Sequence, residues 1–124
     1  MNRVRLDHIN ISAPMDLLLE VRDFYCSVLG LVEGYRPAFS RRGFWLYAED
    51  RPLVHLVECK VHFEGEAPGY LDHVAFQTAD LDAVIGGLEA RGVSYTKTHV
   101  PATNMAQLFF RDPAGTGIEV NSIA

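Results

Sequence analysis

Most features that would assign a chain to a specialised class are missing from this sequence. It has two cysteines, Cys26 and Cys59, in 124 residues. Both lie inside apolar segments, so reduced thiols are expected and a disulfide-stapled secreted scaffold is excluded. No run of like charge stands out; the densest basic spot is Arg41-Arg42, and 11 basic against 16 acidic residues leave a net charge of −5. A basic face for nucleic acid or an anionic membrane is absent. No apolar stretch approaches the about 20 residues that span a bilayer. The amino terminus enters a strand-like pattern without an apolar signal core, so a cytoplasmic location is expected. There is no Gly-rich phosphate loop and no nucleophile-elbow sequence. What remains is one domain of ordinary composition, 48% hydrophobic and 22% charged. At this length it buries roughly two-thirds of its unfolded surface and needs no metal merely to fold.

What the sequence does contain is a repeat. Leu6-Asp7-His8-Ile9 recurs as Leu71-Asp72-His73-Val74. Each copy opens a short strand pattern, passes through an Asp-containing turn, and runs through an amphipathic stretch ending at Gly30 or Gly92. Late in each copy an ionisable residue interrupts an apolar strand: His55 between Val54 and Leu56, Glu119 between Ile118 and Val120. Two modules are read, at about 1–62 and 69–124 of a single domain, joined by a linker near residues 63–69 that contains Gly65, Pro68 and Gly69.

Each module has the same element order. Residues 4–12 alternate as a strand, and 15–29 carry a helical stripe of Leu17, Leu18, Val21, Phe24, Tyr25 and Val28, with Gly30 as the left-handed stop. Strands are expected near 31–36, 43–49 and 53–59, the last two joined by a turn over Glu49-Asp50-Arg51-Pro52. The second module repeats this with a strand at 70–78, an Asp80 N-cap, a helix stripe of Leu81, Val84, Ile85 and Leu88, and strands near 93–98, 105–111 and 116–122. Gly86-Gly87 inside that helix is a cost of about 1 kcal/mol per glycine that packing has to offset. Asp112-Pro113-Ala114-Gly115 supplies a type I turn. The fold class is α+β: two tandem βαβββ modules forming a curved mixed sheet around a metal-bearing cavity.

Strand parity indicates which residues meet. Ile9 and Ile11, Val74 and Phe76, and Ile118 and Val120 face the helices. The opposite face collects His8, His73, Glu119 and His55, with Trp45 and Tyr47 and their repeat counterparts Phe109 and Arg111. Three imidazoles and one carboxylate form a metal-ligand inventory. Glu119 inside an apolar strand also calls for a partner, because an unpaired buried carboxylate is expensive.

Asp7-His8-Ile9, the helix end from Phe24-Tyr25 to Leu29-Gly30-Leu31, Leu71-Asp72-His73-Val74, and Asp112-Pro113-Ala114-Gly115 leading to Ile118-Glu119-Val120 together resemble the vicinal oxygen chelate superfamily, the glyoxalase / bleomycin-resistance / dioxygenase group. The resemblance runs along essentially the whole chain. It implies a divalent metal ion (Zn, Ni, Co, Mn or Fe) held by His8, His55, His73 and Glu119, in a homodimer whose sites lie within a chain or across subunits. It further implies a small-molecule substrate bound through two neighbouring oxygens, and lyase or isomerase chemistry with a metal-stabilised enolate. Glu119 or His55 would then move the proton. Glyoxalase I has a glutamate where this chain has His55, and methylmalonyl-CoA epimerase a glutamine. In fosfomycin-resistance transferases and extradiol dioxygenases the equivalents of His8, His73 and Glu119 hold the metal alone. His55 is therefore a fourth ligand, a substrate-facing acid/base, or a neighbour of the metal. A ring-cleaving Fe(II) dioxygenase and a non-enzymatic drug-sequestering protein are the alternatives. Trp45, Tyr47, Phe109 and Arg111 are the candidate substrate contacts. Arg36 and Arg111 are candidates to hold an anionic substrate group, with a surface role favoured for Arg36; His62 and His99 are read as solvated, and Cys26 as structural.

Overall fold

The computed structural model describes residues 5–60 and 70–122; the expected linker at 63–69 and His62 lie outside them. The first module comprises β1 (Ile9–Ala13), α1 (Met15–Leu29), β2 (Val32–Gly34), β3 (Gly43–Ala48) and β4 (Arg51–Glu58). The second comprises β5 (Val74–Thr78), α2 (Leu81–Ala90), β6 (Thr96–His99), β7 (Ala106–Arg111) and β8 (Gly117–Ser122). Each module folds into a four-stranded mixed sheet, ordered β1-β4-β3-β2 and β5-β8-β7-β6. Within each, the first strand pairs in parallel with the last and the remaining pairs are antiparallel. The registers are equivalent: Ile9 lies opposite Val54 as Val74 lies opposite Ile118.

Both helices follow their sequence signals. Gly30 adopts φ 71° and its backbone N–H bonds the Tyr25 carbonyl, closing α1. A side chain with a Cβ resists that conformation. Asp80 caps α2 by accepting from the Ala83 backbone N–H. Leu18, Val21, Phe24, Tyr25 and Val28 of α1 join Val84 and Leu88 of α2 in one buried cluster, with Leu46, Val54 and Leu56 from one sheet and Leu108, Ile118 and Val120 from the other. The modules therefore share a core.

Several sequence expectations shift, among them β2, which covers only Val32–Gly34 of the expected 31–36, and β6, which runs Thr96–His99 rather than 93–98. The first strands of both modules begin later than expected, because their pairing starts only at Ile9 with Val54 and at Val74 with Ile118. Residues 5–8 and 70–73 lie ahead of the ladders, and Leu6 and Leu71 are exposed. The turn expected over residues 49–52 is shorter: Glu49 takes a positive φ of 56° and Arg51 already belongs to β4. Pro52 is tolerated there because the register shifts between Leu46 and Tyr47 opposite it, a bulge that needs no N–H from the proline. Gly87 is more than a cost to α2. A Cβ on it would lie 2.7 Å from the Ser27 carbonyl oxygen of α1, so the glycine lets the two helices cross at close range.

Candidate metal and substrate site

Both sheets carry chemistry on the face opposite the shared core. In the first module His8 stands just before β1, His55 in the middle of β4, and Trp45 directly opposite His55 on β3. The three rings stack. His8 and His55 centroids are 3.7 Å apart with planes 10° from parallel, and His55 and Trp45 are 4.1 Å apart at 14°. Phe39 extends the row at 6.2 Å from Trp45.

The imidazoles are held from their far sides. His8 Nδ1 pairs with Asp7 Oδ2 at 2.6 Å. That bond holds the Asp7 carboxyl below its usual value, and places the His8 ring with Nε2 away from it. His55 Nε2 donates to the Pro52 carbonyl at 3.1 Å, leaving Nδ1 as the acceptor nitrogen. Burial, followed by the neighbouring His8, pushes the His55 pKa down. The neutral imidazole is thus the favoured form.

The second module repeats the backbone with different side chains. His73 Nδ1 pairs with Asp72 Oδ2 at 2.8 Å, and His73 Nε2 meets Glu119 Oε1 at 3.2 Å. The Asp72 hydrogen bond, supported by Glu119, raises the His73 pKa. Glu119 is buried at 9% exposure, and the ring of Phe109, its register neighbour on β7, stands edge-on to His73 at 6.1 Å. The carboxylate that looks costly in sequence therefore has a partner. Gly117 makes the approach possible: a Cβ there would lie 2.3 Å from the Asp72 carbonyl oxygen.

The four expected ligands come together as two pairs, His8 with His55 and His73 with Glu119. Among the described residues no group of three or more His, Cys, Asp or Glu is close enough to hold a metal ion. The donor set nevertheless suits one. Ligating imidazoles characteristically give their second nitrogen to a carboxylate, which fixes the tautomer and raises basicity, and both Asp–His pairs do this. Asn121 Oδ1, two residues beyond Glu119 on the same face of β8, is buried without a partner among the described residues.

The remaining candidates are dispersed. Tyr47 donates its hydroxyl to the Tyr35 carbonyl at 2.6 Å, and its ring covers Gly34. Arg111 donates to the Gly115 carbonyl at 2.8 Å, beside Asp72 and His73 in a cavity of about 290 Å³. His99 is exposed on β6. Burial raises the pKa of the Cys26 thiol, consistent with a structural role. The bonds of Asp7 and Asp72 to the neighbouring imidazoles were missed by sequence reasoning, although the repeated Asp-His dipeptide was the available signal.

Paired βαβββ modules, each a mixed sheet whose first strand pairs in parallel with its last, define the class of fold. The chain belongs to the Glyoxalase/Bleomycin resistance protein/Dioxygenase superfamily, whose family model matches residues 5–120. No curated protein matches it. It is similar to the solved glyoxylase/bleomycin resistance protein/dioxygenase domain from Frankia sp. EAN1pec, at 20% identity and TM-score 0.75, covering 99% of this chain and 94% of that one. It is also similar to TnmS3, an antibiotic binding protein from Streptomyces sp. CB03234, at 25% identity and TM-score 0.65, covering 100% and 99%. A third likeness is to a mutant of the fosfomycin resistance protein FosX from Listeria monocytogenes, complexed with Mn(II) and a dihydroxypropylphosphonic acid. It has 17% identity and TM-score 0.69, covering 100% and 95%. Among the described residues no helix is long and apolar enough to cross a membrane.

Proposed function

We propose that the chain is a divalent-metal enzyme acting on a small molecule through two neighbouring oxygens, as a homodimer whose sites are shared between protomers. The carrying observation is the repeated Asp–His pair, each imidazole anchored at Nδ1 by a carboxylate, with a buried glutamate beside one of them. His8, His73 and Glu119 are the proposed ligands. One chain brings these donors only into pairs, so a twofold-related copy supplies the complementary half: the His8–His55 pair of one protomer with the His73–Glu119 pair of the other. A divalent ion bound there supplies a Lewis acid for negative charge developing on a substrate oxygen.

The chain's own groups do the rest. His55, with Nε2 committed to Pro52 and its neutral form favoured, accepts a substrate proton at Nδ1. Given back from Nδ1 to a neighbouring substrate atom, the same proton completes an isomerase or lyase outcome, with Glu119 the alternative carrier where it is not a ligand. Two histidines and one carboxylate also suit Fe(II), and a protein that purifies with iron directs the work to ring-cleavage assays.

Metal analysis of protein purified without an affinity tag is the test, beside a His8→Ala/Glu119→Ala double variant. About one ion per chain in the wild type, and none in the variant, supports the reading. No ion in either, and no uptake of Zn, Ni, Co, Mn or Fe(II), overturns it. Mixed dimers of His8→Ala with Glu119→Ala chains then test sharing: a shared site leaves one intact site per mixed dimer, and a within-chain site leaves none. The aromatic row of Trp45 and Phe39 favours one further reading, sequestration of a flat drug-like molecule; stoichiometric binding without metal or turnover identifies it.

A further inference from the structure

Arg36, between β2 and β3, is built into a defined position that the proposed proton transfer does not use. Its guanidinium carbon lies 4.7 Å from the centroid of the Phe39 ring. Nη2 donates to the Arg41 carbonyl at 3.1 Å. On another side it occupies the room left by Gly43, where a Cβ would sit 3.0 Å from Nη2. Nε is buried and, among the described residues, has no hydrogen-bond partner. Among the described residues no carboxylate forms an ion pair with Arg36. An unsatisfied buried guanidinium N–H is costly, and arginine forks match planar oxyanions better than any other side chain does.

The surroundings form a groove. Asn10, Arg36, Phe39, Arg41, Trp45 and His55 line a cavity of about 310 Å³, within the range of small-molecule sites. One end is the His55 ring, itself stacked on His8; the aromatic row leads from there through Trp45 and Phe39 to Arg36. The cavity thus runs from the proposed proton acceptor to an unneutralised cation along an aromatic wall.

We propose that this groove is the recognition pocket for the substrate, and that Arg36 takes the carboxylate, or an equivalent planar or tetrahedral oxyanion, of a small aromatic molecule lying along the aromatic row. The assignment rests on the metal-site reading above only for which end of that molecule reacts. Substrate class then follows: an aryl acid rather than a neutral aryl compound.

Trp45 is the only tryptophan in the chain, so its emission reports the groove directly. Benzoate, phenylphosphonate and the neutral isostere benzamide serve as probes, titrated at constant pH into metal-stripped and Zn-loaded protein. Benzoate and phenylphosphonate are expected to give a saturable change, with benzamide binding at least about tenfold more weakly. Arg36→Gln should weaken both anions by about tenfold or more. Arg36→Lys should recover part of that loss, and Lys97→Gln on exposed β6 should change nothing. Equal binding of benzoate and benzamide, or an Arg36→Gln protein that binds benzoate like wild type, overturns the proposal. If Arg36→Gln fails to fold by circular dichroism, the wild-type preference between benzoate and benzamide decides. The two readings fail separately: Arg36-dependent anion binding without metal uptake removes the enzyme and leaves the groove, and metal uptake without anion selectivity does the reverse.

Discussion

The two modules place different chemistry on the same backbone. Position for position, Asp7-His8 matches Asp72-His73, His55 matches Glu119, and Trp45 matches Phe109. In the first half, an imidazole at the β4 position stacks between His8 and Trp45 and its pKa is pushed down. In the second, a carboxylate at the β8 position engages His73, whose pKa is pushed up. One half stacks its β4 imidazole among aromatic rings and disposes it to be neutral; the other sets a carboxylate beside its imidazole and holds that ring toward the charged form. The buried polar atoms left without partners differ in kind as well, a donor at Arg36 Nε and an acceptor at Asn121 Oδ1. The repeat sets where side chains stand, and a single register position in each module decides what they do.

The largest expected effect lies in a hydrogen bond that ties the two halves together. The turn after β7 is anchored through Asp112, 5% exposed, which accepts from the Ala114 and Thr116 backbone N–H groups at 2.9 Å and from the Tyr25 hydroxyl of α1 at 2.6 Å. Burial, followed by the neighbouring Asp112 carboxylate, keeps the Tyr25 hydroxyl protonated by raising its pKa. The turn after β3 in the first module is a tight one built on the left-handed Glu49. Asp112→Ala strands several buried donors and should cost about 3 kcal/mol or more, which thermal unfolding would register as a fall in Tm on the order of 10 °C. Tyr25→Phe removes only one partner and should cost about 1 kcal/mol. An Asp112→Ala protein as stable as wild type would show that the modules do not depend on this link.

Next in size is Gly117→Ala. The new methyl meets the Asp72 carbonyl, so β5 and β8 must part at the point where His73 reaches Glu119, at a cost of about 1–3 kcal/mol. Leu53→Ala at the matching position of the first module introduces no such collision. Of the two variants, Gly117→Ala should lose more metal affinity, measured by titration with Zn. Equal losses would mean that the Asp72–His73 placement is not what the glycine protects.

The contrast also marks what the sequence made legible. The α1 stripe, Gly30, the Asp80 cap and the alternation in β1, β5 and β8 are local, so they could be read directly from spacing. The Tyr25–Asp112 bond joins residues 87 apart in sequence, which no local period reports. Gly87 looked like a defect because its benefit lies in another helix. Arg36 looked like surface because its position is fixed by Phe39, Arg41 and Gly43 in a segment with little regular structure. The metal-ligand inventory was legible as a set, but its division into two pairs was not, because parity gives a face and not a distance.

Exchanging the distinguishing side chain sharpens the comparison further. His55→Glu gives the first module the ionisable group of the second. It removes the stack on both His8 and Trp45, worth about 1 kcal/mol, and adds a carboxylate next to a proposed ligand. Zn affinity should rise and Trp45 emission should change even without metal. Unchanged affinity would mean that the β4 position does not face the ion.

The smallest effect is the most direct statement of the difference. In metal-free protein, histidine ring shifts followed by NMR should show His73 protonating first as the pH falls and His55 only at lower pH, because their pKa values move in opposite directions. The linkage to stability has opposite signs. The raised His73 value contributes stability that is fully present below the ordinary histidine range and is lost as the pH rises through the folded value. The lowered His55 value contributes stability present above the ordinary range and lost as the pH falls through the folded value. Glu119→Gln, which removes the neighbouring charge but leaves the Asp72 bond, should lower the His73 value and leave His55 where it is. A shift of both histidines together would mean that the two halves titrate as one site even without metal, and that the division into pairs does not hold in solution.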